Sequence, residues 1–136
     1  MIKQKGVTLI EMLIAVAVIG VLTAIAYPSY QSHILKGHRT QAMGDLIKIQ
    51  LALEESYTQD SAYDFTIVSD GSCSFCDTDK DRYVLELEKK ITDGLITGYL
   101  IKAKTVQLQN NDECKDLSLD QTGKGSSSAL EPINCW

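Results

Sequence analysis

The sequence predicts an α+β protein in which one long N-terminal helix packs on a three- or four-stranded antiparallel sheet. Three features carry this prediction: an apolar run at residues 7–27, a helical stripe of apolar residues that follows it, and alternating apolar positions further along the chain. The chain has 136 residues, of which 44% are hydrophobic, and this favours a folded domain over a disordered chain. Its formal net charge of -5 disfavours a strongly basic nucleic-acid-binding protein.

The first element is the apolar run at residues 7–27, which contains one charged residue, Glu11. A helix of this length spans about 32 Å, which is enough to cross the hydrocarbon core of a bilayer. Lys3 and Lys5 precede the run and favour a cytoplasmic N-terminus, with the rest of the chain across the membrane. A secretory signal peptide starts in a similar way, but its apolar run is shorter, and here a helical pattern continues past Pro28.

Glu11 is costly inside an apolar helix, by roughly 2.5–3.5 kcal/mol for an acidic residue at mid-span. Two interpretations stay open. The carboxylate either reaches the lipid headgroups from near the helix end, or it is retained for a partner.

Residues 29–57 predict an amphipathic continuation of the helix. Apolar residues recur at alternating spacings of four and three, the pattern of a helix with one buried face. The stripe consists of Ala42, Leu46, Ile49, Leu53 and Ser56, and it is widened by Met43, Ile47 and Tyr57. Pro28 removes one backbone donor inside this helix and is expected to bend or loosen it. Lys36, His38 and Arg39 form a basic cluster that predicts a solvated face at the membrane exit. The alternative is that it contacts anionic headgroups or an acidic neighbour.

Residues 58–136 form the predicted head. Residues 60–78 are rich in Ser, Asp, Gly and Cys and predict a loop. Alternating apolar positions predict two strands and a short third strand. Gly-containing segments predict two turns. These segments are the strands at 83–88, 99–104 and 114–119, the turns at 92–94 and 121–125, and a Ser-rich tail. Such a small sheet buries enough surface only if it packs against the second half of the helix.

Residues 5–14 resemble the prepilin leader of type IV pilins. That family has a short basic leader that ends in Gly, followed by a hydrophobic run with Glu at its fifth residue. Gly6 ends the leader here, and Glu11 is the fifth residue after it. Gly20 and Pro28 also stand where pilins carry Gly and Pro. The resemblance, which is strongest to minor pilins of the PilE type, implies the type IV pilin fold.

The resemblance also implies a route of processing and assembly. A prepilin peptidase would cut between Gly6 and Val7 and methylate the new N-terminus, and the inner membrane would hold the subunit before assembly. In the extracellular filament, the N-terminal amine at Val7 would face Glu11 of a neighbouring pilin subunit. A carboxylate and an ammonium relieve each other's desolvation cost only when the subunits are in register, so this pair specifies the stagger.

The predicted layout is therefore a leader peptide at 1–6, a transmembrane and filament-core helix at 7–28, an amphipathic helix at 29–57, and a β head at 58–136.

Four cysteines allow three pairings if all of them are bridged. The resemblance implies that Cys114 and Cys135 bound a C-terminal loop, and Cys73 with Cys76 would be the second bridge, in the loop between helix and sheet. Cys-x-x-Cys also occurs in redox and zinc sites, but neither a βαβ pattern nor a second close cysteine pair accompanies it here. A head outside the cytoplasm favours disulfides.

An acidic run, Asp77-x-Asp79-x-Asp81 with Glu88 beyond it, resembles an EF-hand calcium loop. Arg82 stands where that loop requires Gly, so we predict an acidic turn instead. No metal or cofactor is expected. No catalytic constellation is visible in the sequence, and an enzyme is not predicted.

The expected function is that of a structural subunit, a minor pilin of a type IV pilus, which supports adhesion, twitching motility or DNA uptake. One alternative is a pseudopilin of a type II secretion system, against which Cys114 and Cys135 count. The other is a minor pilin whose head binds DNA or another ligand. The acidic composition counts against DNA binding, because phosphate contacts dominate affinity, unless a local strip of lysines overrides it. That strip would consist of Lys102, Lys104, Lys115 and Lys124.

Overall fold

The structure is a computed structural model that describes residues 6–130 and 134–136. In chain order the elements are α1 at Leu9–Asp60, β1 at Tyr83–Thr92, β2 at Leu95–Thr105, a 3-10 turn at Gln107–Gln109, β3 at Leu117–Asp120 and β4 at Gly125–Ser127. The strands form one antiparallel sheet in the order β1-β2-β3-β4. The chain divides into two compact units, one that ends at Ile34 and one that begins at Leu35.

The first unit contains the N-terminal part of α1. By length and composition this helix is able to cross a membrane. Its large apolar side chains from Val7 to Tyr30 are all between 52% and 78% exposed. Apolar surface of this extent is stable only when lipid or a protein partner covers it. Pro28 lies inside the helix without ending it.

The second unit has a core between the rest of α1 and the sheet. The predicted stripe is confirmed at four positions with no exposed surface, namely Ala42, Leu46, Ile49 and Leu53. They meet side chains from three strands: Tyr83, Leu85, Tyr99, Ile101, Ala103, Leu117 and Leu119. Two expected members of the stripe were wrong, because Ile47 and Tyr57 are each 48% exposed. Ile47 follows Leu46 by one position, and that step turns its side chain about 100° away from the sheet.

Strands β1 and β2 form a hairpin whose turn is Asp93-Gly94. Both residues have positive φ, 52° and 79°, as expected for the Asp-Gly turn that matches the twist of two paired strands. Thr92 pairs with Leu95 across the turn. The alternation seen in the sequence is confirmed, although both strands extend to this turn and are longer than predicted.

The end of the sheet differs from the prediction. The third strand begins at Leu117 rather than at Cys114, because a turn that contains Lys115 at a φ of 54° precedes it. The prediction allowed for a fourth strand but did not place it, and β4 begins at Gly125, which was expected to lie in a turn. Ser126 in β4 pairs with β3, and its carbonyl accepts a hydrogen bond from Trp136 Nε1 at 2.9 Å. The tryptophan ring lies over Gly125, where any Cβ would collide with it.

Asp45 anchors the loop between helix and sheet to α1. Its side chain is 1% exposed. The carboxylate accepts the N–H of Asp77 at 2.8 Å, the N–H of Thr78 at 2.7 Å and the Thr78 hydroxyl at 2.6 Å. Lys48 Nζ donates to its second oxygen at 2.9 Å. The loop is therefore held by a buried carboxylate whose two oxygens both accept hydrogen bonds.

This anchor is expected to weaken in acid. Burial disfavours the charged carboxylate, but the hydrogen bonds from Thr78, Lys48 and Asp77 together outweigh it and lower the pKa of Asp45. A lowered pKa contributes stability that is present above the unfolded-state pKa of about 3.9 and is lost as pH falls through the folded-state pKa. In Asp45→Asn this contribution is absent at every pH. The difference in unfolding free energy between the two proteins should therefore shrink below about pH 4.

Urea unfolding of both proteins between about pH 7 and pH 3 measures this difference. Other carboxylates titrate in the same range, but they are common to both proteins and cancel. A difference that stayed constant over the whole range would contradict the assigned role of Asp45.

Candidate functional site

The start of α1 holds the residues predicted for processing and assembly. Gly6 and Val7 are exposed and precede the helix, which begins at Leu9. Glu11 lies in the first turn. Its carboxylate accepts the N–H and the hydroxyl of Thr8, each at 3.4 Å, while the Thr8 hydroxyl accepts the N–H of Glu11 at 3.3 Å.

This reciprocal pair is a capping box, in which a Thr and a Glu three residues later satisfy orphan donors of the first turn. The charge of Glu11 alone did not indicate this local role. The signature Thr8-x-x-Glu11 was the signal that could have found it. Within one chain, Glu11 therefore has a hydrogen-bonding role that does not need a neighbouring subunit.

Two disulfide bonds join the predicted pairs, Cys73–Cys76 and Cys114–Cys135. Cys114 is completely buried, and Cys135 and Cys73 are nearly so, which makes the bridges part of the core. The bridge between Cys114 and Cys135 has a sequence separation of 21 residues. In the chain-entropy account, closing such a loop contributes about 3 kcal/mol, a large share for a sheet of this size.

A buried ion pair joins the segment between the 3-10 turn and β3 to the helix. Arg39 Nη1 lies 2.8 Å from Asp112 Oδ1, and both side chains are nearly inaccessible. Asp112 also accepts Gln109 Nε2 at 2.7 Å and the N–H of Cys114 at 2.8 Å. Gln109 Nε2 in turn reaches the carbonyl of Leu35 at 2.8 Å. The expectation that Arg39 belongs to a solvated basic face was wrong, because Asp112, 73 residues further along the chain, pairs with it.

The outer face of the sheet, which points away from α1, carries alternating charges. We use this name for the side chains of Glu86, Glu88, Lys102, Lys104, Ser118 and Ser126. The register places Glu86 opposite Lys102 and Lys102 opposite Ser118. Lys102 Nζ lies 2.6 Å from Glu88 Oε1, and Lys104 Nζ lies 2.7 Å from Glu86 Oε2. The hydrogen bond and charge of Glu86 raise the pKa of Lys104, so this lysine stays charged.

The structure does not bring the four predicted lysines into one strip. Lys102 and Lys104 line a groove of about 270 Å³ together with Ser118, Ser127, Ser128, Asp116 and Leu117. Lys115 instead donates to the carbonyl of Asn110 at 2.7 Å. Lys124 lies in the turn between β3 and β4. Sequence reasoning considered the lysines alone and missed the glutamates paired with two of them.

The acidic run forms a turn with internal partners. Asp77 pairs with Lys48 at 2.6 Å, and Asp79 Oδ1 accepts the N–H of Asp81 at 2.9 Å. Among residues 6–130 and 134–136, no group of three or more His, Cys, Asp or Glu side chains is placed to hold a metal ion.

Two family models match the chain. The prokaryotic N-terminal methylation motif matches residues 1–27. The family described as "Type IV minor pilin ComP, DNA uptake sequence receptor" matches residues 28–118, which is more than half of the chain. This chain belongs to the type IV pilins. The pilin reading of the leader is thereby confirmed, and the long helix with its small antiparallel sheet is the type IV pilin fold.

Similar proteins agree with this assignment. A fimbrial protein of Moraxella nonliquefaciens is 29% identical over 133 residues, which cover 96% of this pilin and 86% of the relative. The type IV major pilin protein PilE1 of Neisseria gonorrhoeae is 31% identical over 116 residues, which cover 85% of this pilin and 67% of the relative. Among solved structures, a type IV pilin from Shewanella oneidensis has 25% identity and a TM-score of 0.54, and covers 75% of this pilin and 97% of its own chain.

Pilins are structural, non-enzymatic subunits. The matches favour a pilus subunit over a secretion pseudopilin. They indicate a membrane-anchored subunit that assembles with other pilins and becomes part of an extracellular pilus.

Proposed function

We propose that this pilin is a minor subunit of the pilus whose head contacts DNA during uptake. The observation that carries the proposal is the match of residues 28–118 to a family described as a DNA uptake sequence receptor. This range contains the hairpin, the first half of β3 and the second half of the helix. The acidic net charge does not exclude such a contact, because binding depends on where basic side chains lie as well as on their total.

The route into the pilus is part of the same proposal. The peptidase removes residues 1–6 by cutting between Gly6 and Val7, and residues 7–28 lie first in the inner membrane, with a cytoplasmic N-terminus, and then in the filament core. Residues 29–57 carry the head at 58–136. Support for this route comes from the methylation motif over residues 1–27 and from the exposed apolar side chains in the N-terminal part of α1. Other pilin subunits cover those side chains after assembly.

Deleting the gene tests the proposal directly. A minor subunit with a DNA-binding head is dispensable for the filament itself, so the deletion strain should still carry pili. It should lose most of its DNA uptake, measured as transformation frequency with a chromosomal marker. Re-expression of the pilin from a second locus should restore uptake. Loss of the pili themselves would contradict a subunit that is dispensable for the filament, and uptake at the wild-type level would contradict a role in DNA binding.

A further inference from the structure

We infer that Glu86 and Glu88, on the outer face of the sheet, restrain two lysines that contact the DNA backbone and thereby set the affinity for DNA. This role rests on the proposed function and deepens it, because it names the contact surface and the groups that regulate it.

The two lysines lie between unlike neighbours. On the β1 side they meet carboxylates, with Lys102 bound to Glu88 and Lys104 bound to Glu86. On the β3 side the register places Ser118 opposite Lys102, and Ser126 of β4 lies opposite Ser118. A row of lysines thus has carboxylates along one side and hydroxyl groups along the other.

The hydroxyl side opens into the groove of about 270 Å³ that Lys102 and Lys104 help to line. Lysine ammonium and serine hydroxyl groups are among the donors that proteins use for phosphate oxygens. Three serines line the groove, namely Ser118, Ser127 and Ser128, and the Ser118 hydroxyl lies 2.8 Å from that of Ser126. Asp116 also lines the groove, but its Oδ1 is held by the N–H and hydroxyl of Thr105 at 2.8 and 2.9 Å.

The ion pairs with the glutamates are displaceable. Lys104 is 46% exposed and Glu86 37% exposed, and exposed pairs of this kind are weak. A lysine has a flexible four-carbon stem and three donors, so its ammonium can turn from β1 towards a phosphate on the serine side. The glutamates still oppose DNA in two ways: they compete for the ammonium groups, and their charges repel the phosphates.

The test compares the affinity of four proteins for duplex DNA. They are the processed full-length pilin in detergent micelles and its variants E86Q/E88Q, K102Q/K104Q and E55Q/D60N. Glu55 and Asp60 are exposed residues at the end of α1, away from the outer face, so E55Q/D60N removes the same charge elsewhere. Fluorescence anisotropy of a labelled duplex at about 50 and 200 mM salt gives the affinities and their salt dependence.

E86Q/E88Q should bind about tenfold more tightly than wild type at the lower salt, because the two ammonium groups no longer leave a carboxylate to reach a phosphate and two charges that repel the phosphates are gone. K102Q/K104Q should bind about tenfold more weakly. E55Q/D60N should stay within about twofold of wild type, because its charges lie outside the contact.

If wild type binds but E86Q/E88Q does not differ from E55Q/D60N, the role of the two glutamates is overturned and DNA binding itself stands. If none of the four proteins binds DNA at the lower salt, the proposed function and this inference both fail.

Discussion

Replacing Asp112 by alanine is expected to lower the free energy of unfolding of the head by about 3–5 kcal/mol. The substitution leaves Arg39 nearly buried without its carboxylate and removes the acceptor for Gln109 and for the N–H of Cys114. A buried charge that loses its partner is far more destabilising than the pair was stabilising. Urea unfolding of the full chain in micelles measures the effect, with the single tryptophan, Trp136, as the fluorescent reporter.

Glu113 provides the matched control for this prediction. It lies next in the chain and 3.6 Å from Arg39, but its side chain is 62% exposed. Glu113→Ala should therefore change the unfolding free energy by less than about 1 kcal/mol. Replacing both partners, as in R39M/D112L, should recover much of the loss, since no unpaired charge remains buried. Equal effects of the alanine variants at positions 112 and 113 would contradict a specific role for the buried pair.

Replacing Glu11 by glutamine is expected to remove the pilin from the filament while leaving it in the membrane. Gln also serves at the third position of a capping box, so the first turn of the helix is preserved. Insertion should be at least as good, because a neutral side chain costs less in the bilayer. If Glu11 faces the N-terminal amine of a neighbouring subunit, as the resemblance to pilins implies, docking should fail, because that amine then lacks its counter-charge, at a cost of about 3–5 kcal/mol.

The readout is the amount of processed pilin in membranes and in sheared pili. Thr8→Val separates the two roles of Glu11, because it removes the capping hydroxyl and keeps the carboxylate. It should cost about 1 kcal/mol of helix stability and leave incorporation largely intact. Wild-type incorporation of Glu11→Gln would assign Glu11 to the capping box alone.

The helix and the hairpin could be predicted from the sequence because their signals are local. Spacings of three and four identified the buried face around Leu46, and alternation identified the core side of β1 and β2. Asp93-Gly94 marked the tight turn. The same local logic failed for β4, since Gly125-Ser126-Ser127 has no apolar alternation. Its strand conformation depends on pairing with β3 and on the ring of Trp136.

The buried polar contacts could not be predicted, because they join distant parts of the chain. Arg39 and Asp112 are 73 residues apart, and no spacing rule connects them. Asp45 and Asp77 are 32 residues apart. Among the candidate site residues, those of the leader could be predicted because they form a local motif. The pairing of Glu88 with Lys102 could not, because it depends on the register of two strands. A list of lysines from the sequence therefore overstated the positive charge of the head.

The measurement that tests the pilin assignment most directly is mass spectrometry of pili sheared from the organism that encodes this chain. The account predicts that the chain is present in the pili and begins at an N-methylated Val7. Its absence from purified pili, or its presence with an intact Met1 start, would contradict the account.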